Sequence, residues 1–425
     1  MGKKTNSSAN IHAFKQFVGN NFPLLIAAFE KSYIENALLQ FDTVSFGPLS
    51  DYCQRILRYR NGNALFHQWA SDLDIMWLTV NIILEFDKEI FGESKTKHQC
   101  KAASEAITDK FTDEFSEKMW KGPYEYTLSI PLPHFTPVPK YKIPISSHVS
   151  LKRMLVDNES YQNPSQQTNS FSNALAEIQN QKEISCLEIS CSGLVGFPPN
   201  SPLIINALNT LKHTVMLGVI FGLLEIRETG TDYVLDKHRH DYISVIDGYL
   251  SNSLRNRLPF IYNHALSCTH LTSNGEDIIS SLSQADNIHI LDEAMIITRC
   301  LDSEDTAYMR IKASLEWLFD CNFMQNTTNS FVMLCLAIES MIGDNESKNK
   351  KEVLASRLSF SIGKTYNERK IIHDDFVEFY NKRSSIVHGS EKIMNNREIE
   401  LLGSMKHALV MMIRSELTSL QQLST

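Results

Sequence analysis

No two of the eight cysteines (Cys53, Cys100, Cys186, Cys191, Cys268, Cys300, Cys321 and Cys335) form a CxxC pair. The sequence therefore offers neither the clustered thiolates of a zinc site nor the dense disulfide framework of a small secreted domain. Thiols spread in this way predict a reducing compartment, and the cytosol is the expected location. Long apolar runs are equally scarce. The best, Leu203 to Leu224, holds Lys212 and His213 near its middle and is followed by Glu225, whereas spanning hydrocarbon takes about 20 clean apolar residues. A buried core helix is expected there, with Gly218 and Gly222 offering another helix a close approach. The start, MGKKTNSS, has no apolar stretch behind its lysines and carries Asn6 where myristoylation needs Ser or Thr, so neither a signal peptide nor an acyl anchor is expected. A Walker loop, a GxSxG elbow and a GxGxxG fingerprint are also missing, which argues against nucleotide hydrolysis, serine hydrolysis and dinucleotide chemistry. Nor is positive charge in excess: 41 Lys+Arg against 49 Asp+Glu leave −8, so any nucleic-acid binding has to be local.

What the sequence does contain is globular in character. With 425 residues, 43% hydrophobic and 21% charged, it is long enough for two or three domains and apolar enough to give them cores. Residues 9–120 show apolar spacings of three and four, predicting amphipathic helices, one opened by Phe22-Pro23 and another by Ala64. From Pro123 the texture changes. YTLSIPLPHFTPVPKYKIPIS holds five prolines among β-formers, which predicts short or edge strands because proline cannot donate to a central ladder. Residues 157–173, DNESYQNPSQQTNSFSN, read as a polar linker, and a further strand pair is expected around Ile184 to Phe197. The fold class that follows is mainly α, α+β overall. Its parts are a helical N-terminal region over 1–120, a mixed middle region over 121–302 and a helical bundle over 303–425.

The bundle is the clearest part. Helices are expected at about Asp305–Cys321, Thr328–Ile342, Lys351–Ile362, Asp374–Val387 and Arg397–Gln421. In the last, Ile399, Leu402, Met405, Leu409, Met412 and Ile413 make one apolar stripe behind an Asn395 or Asn396 cap. Within NKRSSIVHGS, Arg383 and His388 stand at a helix end. Histidine titrates near neutrality and can take a 2'-hydroxyl proton, while a guanidinium stabilises charge building on a phosphorane. Spacing alone does not single this pair out, since Arg60–His67 and Arg257–His264 are spaced comparably. Five residues along a straight helix set two side chains about 140° apart, so convergence requires the helix to end or bend, and Gly389 is the natural stop. The competing reading makes His388 a simple cap on its own helix carbonyls. KHRHD, with His238 and His240 two apart, lacks a third ligand at matching spacing.

RIKASLEWLF at 310–319, FVMLCLAIESMI at 331–342, KKEVLASRLSFSIG at 350–363 and DFVEFYNKRSSIVHGS at 375–390 resemble, in order and spacing, the HEPN domains (higher eukaryotes and prokaryotes nucleotide-binding). The likeness is nearest to their Apea-like branch and covers roughly 304–422. It implies an α-helical domain that often dimerises, with the Arg and His of both copies facing one cleft. Many members are metal-independent RNA endonucleases of phage-defence or toxin systems, and the resemblance calls for no metal and no cofactor. Carried across, the catalytic pair is Arg383 and His388, and Glu339 matches an acidic position that orients one of them. The residue after the motif arginine, often Asn, Asp or His in active members, is Ser384 here, a hydroxyl that can still donate or accept. Lys348, Lys350, Lys351 and Lys382 are the candidates for tracking an RNA backbone. By analogy with regulated members, residues 1–302 would sense a trigger such as a phage component, without membrane attachment. A non-catalytic, dimerising scaffold is the alternative.

Overall fold

Pro23 does not open a helix; it lies inside one. In the computed structural model, helix α1 runs unbroken over Ser8–Asn36, and the Gly19 carbonyl forgoes the bond that a non-proline residue would give it. The structure describes residues 8–36, 46–60, parts of 75–82, 108–119, 124–157 except 133 and 137, 181–193, 201–227, 244–246, 260–282, 292–343 except 325, 349–389 and 395–422. Among these the fold is mainly α, α+β overall, as expected. The polar linker, apart from Asp157, falls outside the described residues, as do Lys348, His238, His240 and the segment from Asn61 to His67.

The chain divides into two compact units. The first comprises Met1–Thr127, Cys191–Ala207 and Val245–Leu254. Its core is made where α1, α2 (Phe46–Arg60) and α3 (108–119) turn their apolar stripes inward. Phe14, Val18, Phe22 and Leu25 recur at helical spacing on α1 and meet Tyr52 and Ile56 of α2 and Phe111, Phe115 and Met119 of α3. The rings of Phe22 and Phe111 lie 4.9 Å apart.

The second unit comprises Leu128–Ser190, Leu208–Ser244 and Arg255–Thr425. The residues on both sides of position 302 belong to this unit. Strands β1 (Tyr124–Leu132), β2 (Ile143–Pro144), β3 (Val149–Asp157) and β4 (Gln181–Gly193) come from the proline-rich region and its sequel. With β6 (Ser244–Ile246) they order as β2-β3-β4-β1-β6. Of the short or edge strands expected in the proline-rich segment, β2 is both, whereas β1 is nine residues long and lies between β4 and β6, with Pro131 at its penultimate position. Strands β3 and β4 run antiparallel from Val149 opposite Ile189 to Asp157 opposite Gln181. The β2–β3 turn is tied to helix α7 (Asp292–Asp302), where Ser147 donates from backbone and hydroxyl to the Asp302 carboxylate and Thr298 donates to the Ile145 carbonyl at 2.6 Å.

Helix α4 (Pro202–Ile220) is the apolar run. It is the one helix among the described residues with the length and mean hydropathy to cross a membrane, yet its two mid-helix cations are built into the core. Lys212 meets Asp320 at 2.7 Å and His213 meets Glu316 at 3.0 Å, both acids on α8 (Thr306–Phe323). Lys212 also faces the rings of Tyr262 and Phe319. The small-residue pair does not receive a helix. A side chain at Gly218 would strike Leu224 of β5 (Leu224–Ile226) at 2.5 Å, and Gly222, with φ 71, makes the turn between them. Strand β5 pairs with β7 (Thr269–Leu271), between α5 (Phe260–Cys268) and α6 (Ser273–Leu282).

The bundle follows the expected order: α8, α9 (Thr327–Ile342), α10 (Lys350–Ile362), α11 (Tyr366–Val387) and α12 (Asn396–Gln422). Helix α11 begins eight residues before its expected start, because Thr365 and Glu368 form a capping box in which each side chain accepts from the other's backbone N–H. Asn395 and Glu398 do the same for α12. Phe331 of α9 stacks on Phe379 of α11 with centroids 4.2 Å apart. On α12 the buried stripe is Leu402, Met405, Leu409, Met412 and Ile413 joined by Leu401, Ala408 and Leu417, whereas Ile399, placed in that stripe by periodicity, is 51% exposed.

Candidate functional site

Helix α11 ends where its composition says it should. Val387 is its last residue, His388 is the C-cap, and Gly389 adopts φ 74, the left-handed conformation that glycine enters without a Cβ penalty. The stop does not bend the helix away from its phase. The His388 N–H still donates to the Ser384 carbonyl at 3.0 Å, so Arg383 and His388 remain about 140° apart around the axis. The expected convergence is thus not produced by α11 itself.

Each residue's surroundings are informative. His388 is exposed, and among the described residues its ring makes no hydrogen bond or ion pair; only its backbone caps the helix. This is not the arrangement of a histidine side chain capping its own carbonyls. Ser384 likewise contributes its carbonyl, with no hydroxyl contact among the described residues. Arg383 is part-buried, with its Cζ 5.8 Å from the centroid of the Tyr380 ring. Its Nε is fully buried and has no hydrogen-bond partner among the described residues, a costly state for a charged donor.

Glu339 sits one helix away on α9 with its side chain 13% exposed. It accepts from Lys350 Nζ at 2.7 Å and from the Cys335 thiol at 3.7 Å, and its charge faces the Tyr380 hydroxyl. Burial and then the Glu339 charge push the Tyr380 hydroxyl up to about 12, and the same two causes push the Cys335 thiol up to about 12. Both groups are therefore neutral at physiological pH. Glu339, expected to orient the motif arginine or histidine, holds Lys350 and faces Tyr380 instead, and among the described residues it makes no hydrogen bond or ion pair with Arg383.

The three described lysines among those expected along an RNA backbone are committed within the protein. Lys382 forms an ion pair with Glu398 at 2.6 Å, the two side chains 10% and 13% exposed. Lys350 is on Glu339, and Lys351 donates to Asn381 at 3.1 Å and lies 3.8 Å from Glu352. Sequence reasoning missed Tyr380 and Glu398. Tyr380 stands three residues before Arg383, a spacing that places both on one helix face. Glu398 is the third residue after Asn395, which marks it for a capping box but not for Lys382.

Searches of protein-family models, curated proteins and solved structures find no match to this chain.

Proposed function

We propose that the protein is a metal-independent RNA endonuclease of HEPN type, acting in antiviral defence or as a toxin, with Arg383 and His388 as its catalytic pair. The observation that supports this reading most is an arginine with an unsatisfied buried Nε–H on the same helix end as an exposed, unengaged histidine. A phosphate oxygen accepts from the terminal N–H groups of a guanidinium, and the part-buried Arg383 gives none of them to a carboxylate among the described residues. In the reaction, His388 takes the proton from the ribose 2'-hydroxyl. The 2'-oxygen then bonds to phosphorus, the bond from phosphorus to the 5'-oxygen breaks, and Arg383 stabilises the negative phosphorane between the two events. The leaving 5'-oxygen takes its proton from a histidinium or from water, and the products are a 2',3'-cyclic phosphate and a 5'-hydroxyl.

Because one copy's helix phase separates the pair, this reading includes a homodimer through the bundle, in which one cleft draws on both copies. It also assigns control of the nuclease to the region before 303, with a phage-derived molecule as trigger.

The test is cleavage of total RNA in EDTA by wild type, Arg383→Ala and His388→Ala, with the growth of cells expressing each. Loss of one proton-transfer group is expected to slow cutting by about 100- to 10,000-fold, to relieve toxicity, and to leave the protein folded and dimeric by sedimentation. A non-catalytic dimerising scaffold is the second reading, favoured by the commitment of Lys350, Lys351 and Lys382 to protein partners. Inactivity of all three proteins in the presence of a trigger-containing lysate would select it.

A further inference from the structure

An arginine that serves a phosphate needs its direction fixed and its donors left free. Carboxylates normally fix arginines, but each hydrogen bond they accept removes a donor and part of the effective charge. Arg383 has no carboxylate partner among the described residues. What lies against it is the Tyr380 ring, one turn earlier on α11, with the guanidinium carbon 5.8 Å from the ring centroid. That is within the range of a cation–π contact, which holds the cation while using none of its N–H groups.

The ring itself is placed by two neighbours. Its body packs against Phe376, which is fully buried, with centroids 5.9 Å apart. Its hydroxyl faces the charge of Glu339 on α9, a carboxylate that Lys350 of α10 holds at 2.7 Å. Three helices thus contribute to the surroundings of one aromatic ring, and that ring supports the guanidinium.

We infer that Tyr380 is a positioning residue for Arg383: Glu339 and Phe376 fix the tyrosine ring, and the ring face aims the guanidinium while leaving its donors free for a phosphate oxygen. The role of Arg383 toward phosphate rests on the ribonuclease reading above; the support given to Arg383 by Tyr380 does not. It assigns Glu339 an indirect role, through tyrosine rather than on arginine.

The experiment uses the full chain with arginine-selective ¹⁵N labelling and no RNA. The Arg383 Nε–H resonance is identified by its absence in Arg383→Lys, and its solvent exchange is followed in wild type, Tyr380→Phe and Tyr380→Leu. Loss of a desolvated cation–π contact predicts exchange about three- to thirtyfold faster in Tyr380→Leu, with Tyr380→Phe in between, because it keeps the ring and loses the hydroxyl that faces Glu339. Unchanged exchange in a folded Tyr380→Leu overturns the inference. Should that variant fail to fold, Tyr380→Phe decides: faster exchange supports the positioning role and unchanged exchange overturns it. A second arm measures RNA cleavage. There the positioning role predicts a fall in kcat with KM nearly constant, and a Tyr380→Leu/Arg383→Ala double variant no slower than Arg383→Ala alone; additive losses overturn it. Altered exchange in a protein that cuts no RNA would remove the ribonuclease reading and leave the positioning role standing.

Discussion

Lys212 and Arg383 are cations of the same compact unit, and the fold treats them in opposite ways. Lys212, 9% exposed, has Asp320 at 2.7 Å and two aromatic rings about it, and the neighbouring His213 has Glu316. Among the described residues Arg383 has a ring and no acid, and a buried N–H with nothing to receive it. In the first place charge is neutralised where it enters the core, the condition for a buried ion to be tolerated. In the second the neutralising partner is missing from an otherwise well-connected cluster, although Glu339 stands one residue's contact away. The difference separates charges neutralised inside the fold from one that, among the described residues, is not.

Removing the acid on the paired side should have the largest effect on stability. Asp320→Ala strands Lys212 in the core and is expected to cost about 3 kcal/mol in urea unfolding, and Lys382→Ala, which strands the shielded Glu398, a comparable amount. Losses below about 1 kcal/mol would show these pairs to be dispensable and erase half of the contrast. Arg383→Met sharpens the other half. It removes an unsatisfied donor together with a ring contact, so unfolding free energy should stay within about 1 kcal/mol of wild type, in either direction. A loss as large as that of Asp320→Ala would mean that Arg383 is structural after all.

The smallest effect is a pH dependence at His213. Burial lowers its pKa below the ordinary histidine value, followed in size by the opposing hydrogen bond and charge of Glu316 and the lesser, lowering charges of Lys312 and Lys212. The unfolded chain then binds the proton more readily than the folded one, so this contribution is present above about pH 6.5 and is lost as pH falls through the acid side of that value. The thermal midpoint should drop between about pH 7 and pH 5, and His213→Gln should flatten part of that drop. His264 and His270, also lowered chiefly by burial, contribute with the same sign, so the part removed by His213→Gln is the informative quantity.

The bundle was legible in the sequence because its instructions are local. Apolar spacing placed all five helices, and Gly389 announced the end of α11. The early start of α11 was missed even though Thr365 and Glu368 spell a capping box, because the helix was placed from Asp374 onward. Glu339 drew notice through the resemblance, but Lys350, which pairs with it, belongs to another helix, and no spacing reports that. Lys382 illustrates the limit most plainly: next to a motif arginine it reads as a phosphate contact, and only the approach of α12 brings Glu398 to it. Ile399 fits the stripe of α12 by period and lies outside it in fact, because the first turn of that helix precedes its contact with the bundle core.

Gly389 has one more consequence. A Cβ built there would meet no atom of the described residues within 4 Å, so among them the objection to a side chain is one of backbone handedness. Position 389 is therefore a gauge: substitutions report the free energy of a left-handed residue at that point, uncontaminated by packing. Asparagine should register the least, alanine about 1 kcal/mol, and a β-branched residue the most. Read against the exchange and cleavage of the same variants, that scale would calibrate how tightly the neighbouring imidazole depends on the way its helix is brought to a close.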